Sequence, residues 1–291
     1  MTSQSNPPQP DDVVRRHYWT EHMEGNYVLL QTMANYPIEE THEPLAPITT
    51  AADDARVEMA FSDTKIAGDL DRIFAIRTGL IPNLMEVARQ MNERGWILKI
   101  EDGFRTREMQ GQLVLKPTVF EMIVRACQWE HGSNEPPLEL LQRRATCLVA
   151  NYPYSGTHTM GAAVDISVLH REDGSEIWRG HPYLEMSVYT PMESPFVDVE
   201  YRRNRQAITT IMEQHGFLHY PGEFWHYNKG DALFHMRAAA GTPACYGPVH
   251  WDPATSMVTP YDNMTSPLVP PDVLAQHLEL ALDRLAIDQS A

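Results

Sequence analysis

The chain has 291 residues, long enough for one large domain or two small ones, and its 39 Asp and Glu against 23 Lys and Arg give a formal net charge of -16. That balance excludes a nucleic-acid partner, which asks for a basic face, but it leaves small zwitterionic substrates open. No apolar run reaches membrane-spanning length, and Met1 to Pro7 has neither the basic start nor the apolar core of a secretory signal, so the expectation is a soluble, cytoplasmic protein with no membrane partner.

Residues Met1 to about Asp12 are polar and proline-rich, a composition that reads as disorder. From Val13 to about Ala55, Tyr18, Trp19, Tyr27 and Tyr36 are set among prolines and acids with no sustained period, and the stretch reads as an ordered extension or a subunit contact, which keeps a homo-oligomer in view. Ile81, Leu84, Met85, Ala88 and Met91 then recur at helical spacing, with Pro82 tolerated in the first turn and Gly95 as a stop. The run Trp96 to Ile100 reads as a strand that delivers Glu101-Asp102-Gly103-Phe104-Arg105 to its end. Thr118 and Glu121 have the spacing of a capping box before the helical positions Val119, Met122, Ile123 and Ala126. Gly132 to Pro137 is a loop, and Leu138 to Ala150 contains a further helix. The cysteines, Cys127, Cys147 and Cys245, lack Cys-x-x-Cys spacing, so neither a disulfide framework nor a thiolate metal cage is expected.

The chemistry concentrates in Ser155-Gly156-Thr157-His158-Thr159-Met160-Gly161-Ala162-Ala163-Val164-Asp165 and in Glu223-Phe224-Trp225-His226. Val164, Ile166 and Val168 alternate with Ala163, Asp165 and Ser167, the pattern of a strand buried on one face, with Asp165 turned from the apolar side. An aspartate on an otherwise apolar strand costs on the order of several kcal/mol unless it is paired or coordinated. His158 lies seven residues earlier, beyond Gly161, so a loop must return its imidazole to the carboxylate. Glu223 and His226 are three apart and would occupy opposite faces of a regular strand, so Pro221-Gly222 is expected to hold Glu223 in a bend leading into the strand that carries His226. Two histidines and two carboxylates are what a catalytic zinc needs: three ligands, a fourth position for water, and a base beside it.

After this segment Arg171 to Ser175 has turn chemistry, and Glu176-Ile177-Trp178 reads as a returning hairpin strand. Tyr201, Ile208, Ile211 and Met212 mark a helix stopped by Gly216. His219 and His235 flank the second motif without the matching spacing to Glu223. Beyond Trp251 the chain reads as loops until Pro271, where Val273, Leu274, Leu278, Ala281, Leu282 and Leu285 form a last helix.

Ser-x-x-His-x-x-Gly-x-Ala-x-Asp followed by Glu-x-Trp-His resembles the zinc D,D-peptidases, the D-alanyl-D-alanine dipeptidase and D,D-carboxypeptidase family associated with vancomycin resistance. Asp102-Gly103-Phe104-Arg105 is similar to the Asp-Gly-Tyr-Arg of its dipeptidase branch. The stretch from Asn204-Arg205 through Ile211 to Phe217 is similar to the helix before its Glu-x-Trp-His, and Ala244-Cys245-Tyr246-Gly247-Pro248 to the ending of some members. The resemblance runs from about Phe61 to Pro248. It implies an α+β fold of the D,D-peptidase and hedgehog type, with a small, mainly antiparallel sheet carrying one Zn²⁺ per chain. The implied division is an extension over residues 1–60, a catalytic domain over 61–251 and a C-terminal loop and helix over 252–291.

By the same resemblance His158, Asp165 and His226 hold the metal, Glu223 is the general base, and Arg105 stabilises the oxyanion of a small peptide substrate such as D-alanyl-D-alanine. Four positions depart from the family pattern, the first two beside Arg105 and the last two bearing on the substrate. Thr106 and Phe104 stand where the family has proline and tyrosine. The serine usually two places before the first metal histidine is Gly156, leaving Ser155 or Thr157 as substitutes for binding a terminal carboxylate. Tyr183-Leu184-Glu185-Met186 lies where the dipeptidases carry Phe-Asp-x-Met, which makes Glu185 the candidate for the substrate amine. A D,D- or L,D-carboxypeptidase acting on cell-wall or natural-product peptides is the alternative within the class. Outside it stand a non-haem iron oxygenase, which shares the two-histidine, one-carboxylate set, and a non-catalytic zinc-binding module, which would have little use for Glu223 and Arg105.

Overall fold

A computed structural model describes residues 10–288. In chain order the helices are α1 (Pro10–Met33), α2 (Ile48–Ala55), α3 (Ile81–Glu93), α4 (Arg107–Leu115), α5 (Pro117–His131), α6 (Leu138–Val149), α7 (Val199–Gln214), α8 (Ala232–Arg237) and α9 (Pro271–Asp288). The strands are β1 (Leu45–Pro47), β2 (Met59–Phe61), β3 (Ala75–Arg77), β4 (Trp96–Asp102), β5 (Ala163–His170), β6 (Leu218–His219), β7 (His226–Asn228), β8 (Val249–Asp252) and β9 (Met257–Pro260).

The central sheet has the order β2-β4-β5-β7-β6, and only the β2/β4 pair is parallel. The fold is therefore α+β, with helices packed on a small, mainly antiparallel sheet. One core lies between this sheet and α3 and α7, where Leu84, Val87 and Met91 meet Ile100, Val164, Ile166, Ile208 and Ile211. A second core is helical, and it joins α1, α4, α5, α6 and α9 through Trp19, Met23, Leu113, Phe120, Ile123, Leu141 and Leu274. The strand β5 is buried from Ala163 to Val168, so it is enclosed on both faces rather than on one. The helical layer closes the side that carries Asp165, which period-two reading of one strand does not register.

Local chemistry sets the element ends. Thr106 caps α4 by accepting from the Met109 amide at 3.1 Å, and Asp231 caps α8 by accepting from the Phe234 amide at 2.9 Å. The expected capping box at Thr118 does not form: α5 begins at Pro117, whose fixed φ and missing N–H suit the first turn, and no side chain caps it. The same helix ends on Gly132 in the left-handed region.

Three further expectations are revised. Val13 to Met33, with no period read from the sequence, belongs to the 24-residue helix α1, which also takes in Pro10 to Asp12; Met1 to Gln9 lie outside the described residues. Trp19, Met23, Asn26, Leu30 and Met33 form its buried stripe, while Val13, Val14 and Val28 are exposed and hide that stripe in the sequence. The returning strand at Glu176 to Trp178 reduces to a bridge between Leu169 and Glu176, with the Ile177 amide donating to the Val168 carbonyl at 2.8 Å. The stretch after Trp251 is not all loop, because β8 and β9 pair as an antiparallel hairpin. Among the described residues no helix is long and apolar enough to cross a membrane.

Candidate active site

Cross-strand register builds the site. Asp165 of β5 is paired with Asp102 of β4 on one side and with His226 of β7 on the other. Directly opposed residues in a sheet project to the same face, so three residues distant in sequence converge. His158 reaches them from a 3-10 turn, Thr157–Met160. That turn ends at Gly161, whose φ of 66° lies in the left-handed region and whose Cβ, if it had one, would stand 3.0 Å from Leu45 Cδ2. The loop expected to carry His158 back over the carboxylate is this turn. Glu223 lies in the bend before β7, and the His226 amide is within 3.5 Å of its carbonyl.

The donor atoms crowd around one point. Asp165 Oδ1 is 3.1 Å from His158 Nε2 and 2.9 Å from His226 Nδ1, and the two ring nitrogens are 3.2 Å apart. Donors held about 2.0–2.1 Å from a single tetrahedral ion stand about 3.3–3.4 Å from one another, so the triad has the span a small divalent cation requires. The outer partners present the right lone pairs. His158 Nδ1 donates to the Gly103 carbonyl at 2.7 Å, which leaves Nε2 as the bare nitrogen. His226 Nε2 lies 2.8 Å from Thr157 Oγ1, a hydroxyl able to accept its proton in the tautomer that leaves Nδ1 bare. The cluster His158, Asp165 and His226 is fully buried, and the donor set fits a metal ion.

Charge around the triad is arranged through Asp165 and Arg105. Burial alone would raise the Asp165 carboxyl, but His158 and His226 hold it well below the usual carboxylate range. Its Oδ2 accepts from Arg105 Nη2 at 3.1 Å and from the Tyr183 hydroxyl at 2.9 Å. Arg105 also donates from Nε to Asp102 Oδ2 at 2.7 Å and from Nη1 to Gln110 Oε1 at 3.2 Å. Burial would lower the guanidinium pKa, but Asp102 and Asp165 carry it above its ordinary value. Arg72, 3.2 Å from Asp102, completes this ion-pair chain. Burial, with the Asp165 charge second, pushes the Glu223 carboxyl well above the ordinary glutamate range, against the opposing effects of Arg105 and of a hydrogen bond with Trp225. Burial likewise lowers His226, which favours the neutral imidazole.

His158, Asp165, His226, Glu223, Arg105, Ser155 and Thr157 all line one cavity. Ser155 turns its hydroxyl to the Tyr152 carbonyl at 2.9 Å. Glu185 is not part of the site. It pairs with His181 at 2.7 Å and lines a different cavity with Asp12, Arg15 and Trp129. Leu184, with a φ of 66°, and Met186 line the triad's cavity, while Glu185 between them does not. His219 bonds Glu213 at 2.8 Å and His235 lies 3.3 Å from Thr242, so neither joins the triad. Sequence reasoning did not identify Tyr183, Gln110 or Arg72. Tyr183 sits in the Tyr183-Leu184-Glu185-Met186 stretch, but nothing in that stretch announces a bond to a residue 18 positions earlier.

Comparison with known proteins gives first the class, a peptidase. Residues 68–241 match the model of the D-ala-D-ala dipeptidase family, and the chain belongs to that family. A D-alanyl-D-alanine dipeptidase from Synechocystis sp. (strain ATCC 27184 / PCC 6803 / Kazusa) is 26% identical over 215 residues, spanning 68% of this chain and 86% of the relative. Two solved structures show weaker likeness. The LdcB LD-carboxypeptidase has a TM-score of 0.36 at 18% identity, over 72% of this chain and 79% of its own. A variant of the vancomycin resistance D,D-pentapeptidase VanY from a VanB-type cassette, in complex with Zn(II), has a TM-score of 0.34 at 16% identity, over 72% of this chain and 90% of its own.

Proposed function

We propose that the chain hydrolyses a small D-configured peptide of the D-alanyl-D-alanine class, with one zinc ion held by His158, Asp165 and His226, Glu223 as general base and Arg105 as oxyanion stabiliser. The observation that carries this reading is the convergence of three metal-competent donors within 3.2 Å of one another, beside Glu223 and Arg105 in one cavity. Family membership supplies the reaction class.

Zinc bound at such a triad supplies a Lewis acid that brings the pKa of a water toward about 7. The other roles belong to the chain. Glu223, ionised, takes the proton of the attacking water and returns it to the leaving amine. Its raised pKa suits that exchange, because a carboxylate more basic than an ordinary glutamate takes up a proton more readily and can still pass it on. Arg105 spends three of its five N–H donors on Asp102, Gln110 and Asp165, and the two that remain, one on each Nη, are free for the carbonyl oxygen as it gains charge. Asp102 and Asp165 also fix the guanidinium plane. The Gly103 carbonyl holds His158 in its ligand tautomer, and the Thr157 hydroxyl can accept from His226 Nε2 in the corresponding one. The second carboxylate at Glu223 favours hydrolysis over a two-histidine, one-carboxylate iron oxygenase, which has no need of it.

The test is Glu223→Ala, assayed for zinc content and for amine release from D-alanyl-D-alanine and its L,D, D,L and L,L isomers. The expected result is one zinc per chain retained with turnover reduced by about 10²-fold or more. Hydrolysis at the wild-type rate in that variant would overturn the assignment of the base.

A further inference from the structure

Two buried arginines, Arg179 and Arg205, take no part in lining the triad's cavity. Their guanidinium carbons stack on the ring of Phe224, the residue after Glu223, at 4.9 and 4.1 Å from its centroid. Among the described residues Arg205 donates only to backbone carbonyls: Nε to Arg179 at 2.8 Å, Nη1 to Pro191 at 2.7 Å and Met192 at 3.2 Å, and Nη2 to Tyr189 at 2.9 Å. Arg179 is fully buried, and its ion-pair partner Glu176 is 3.7 Å away. Burial pushes its pKa down, against the opposing effects of Tyr227 and Glu176. A cation enclosed in this way is costly unless its donors are well used.

The donors of Arg179 go to two points beside the reacting groups. Asp165 and His226 form the last pair of the β5/β7 ladder. Past that pair the Ile166 amide still crosses, donating to the Trp225 carbonyl at 3.0 Å. There Arg179 enters, with Nη2 donating to the Ile166 carbonyl at 2.7 Å and Nη1 to the Phe224 carbonyl at 3.1 Å. One planar fork therefore joins the residue after Asp165 to the residue after Glu223 where the ladder has stopped. The same bend is fastened to the segment that Arg205 binds. The Phe224 amide donates to the Thr190 carbonyl at 3.2 Å, and the Met192 amide to the Pro221 carbonyl at 3.0 Å.

We propose that Arg179 is a positioning residue, which sets the placement of Glu223 against the His158, Asp165 and His226 triad by bridging the Ile166 and Phe224 carbonyls, with Arg205 fixing its backbone. The inference rests on the hydrolytic reading of the site for its effect on rate. Without the bridge the bend carrying Glu223 shifts, while Asp165 stays bonded to Arg105 and Tyr183. A misplacement of about 1 Å in a reacting group costs about 10²-fold in rate.

The experiment compares the full wild-type chain with Arg179→Met and Arg179→Lys, all zinc-loaded. Three quantities are read: kcat and KM on D-alanyl-D-alanine, zinc affinity by chelator competition, and amide hydrogen exchange. Arg179→Met should lower kcat by about 10²-fold, with KM and zinc affinity each within about threefold of wild type. Arg179→Lys keeps the charge but not the planar fork, and should lower kcat by only about tenfold. Exchange in the methionine variant should quicken by about tenfold or more at the Ile166 and Phe224 amides, with the rest of the β5/β7 pair and the helical core unchanged. If Arg179→Met does not fold, Arg179→Lys carries the test. Wild-type kcat in a folded variant, or a fall in kcat matched by an equal loss of zinc affinity, would overturn the proposal. If the wild-type chain cleaves no dipeptide, the hydrolytic reading fails and exchange decides the bridge: quickening confined to Ile166 and Phe224 upholds it, and unchanged or uniform exchange ends it.

Discussion

Tyr183 and Glu223 show how single side chains tune the triad. The Tyr183 hydroxyl donates to Asp165 Oδ2 at 2.9 Å, the oxygen that does not face the histidines, and so orients the other oxygen toward them. Outer partners of metal ligands typically account for 10–100-fold in affinity. Tyr183→Phe should therefore weaken zinc binding by about that factor with little change in stability, as read by competition with a chromogenic chelator; unchanged affinity would show that Arg105 alone orients the carboxylate. Glu223 makes a prediction about pH. Burial is the largest cause of its raised pKa, with the Asp165 charge second. Only the ionised form accepts a proton, so kcat/KM should rise with pH through that raised pKa, with the acid limb above the pKa of about 4.3 of an ordinary glutamate. A pH–rate profile measures it, and a limb at the ordinary value would point to a different base.

At the scale of elements, the short turn before β5 carries the greatest demand. Gly161 sits at positive φ, and its amide donates to the His158 carbonyl at 3.1 Å, the same carbonyl that receives the Arg105 amide at 3.3 Å. One turn therefore positions the proposed metal ligand His158 and the proposed oxyanion residue Arg105 together. Gly161→Ala places a Cβ against Leu45 in a backbone region that L-residues resist, at a cost of about 1–3 kcal/mol. The expected outcome is a melting temperature lowered by several degrees together with weaker zinc binding. A variant that keeps both would show that the turn relaxes without moving His158. The hairpin bend at Pro221-Gly222 was legible as a bend because Glu223 and His226 could not share a face of a regular strand. The backbone at Leu184 was not legible: nothing local distinguishes a leucine that will adopt φ 66° beside a Glu185 that lies outside the triad's cavity.

For the molecule as a whole, α1 is part of the cavity as well as the core. Trp19 is fully buried against the helical layer, and its indole donates to Glu130 Oε2 at 3.1 Å. Trp19→Ala should destabilise the chain by about 3–5 kcal/mol, measured by denaturant unfolding, and should also lower peptide affinity because the same helix presents Leu30 to the cavity. Destabilisation without any effect on binding would separate α1 from the site.

The sequence by itself determined the local chemistry: the His158 to Asp165 spacing across Gly161, the Glu223 to His226 bend, Arg105 at the end of a strand, and the helices whose apolar periods are unmasked. These signals are local because spacing along a chain with a known rise and period decides them. Only the tertiary structure decided which residues meet. Asp102, Asp165 and His226 face one another because β4, β5 and β7 pair in a register set by packing of residues more than 60 positions apart. The same packing closed both faces of β5, brought Leu30 to the cavity and turned Glu185 away from it. Burial and register depend on the sum of many weak contacts across the whole chain, and no short stretch of sequence contains that sum.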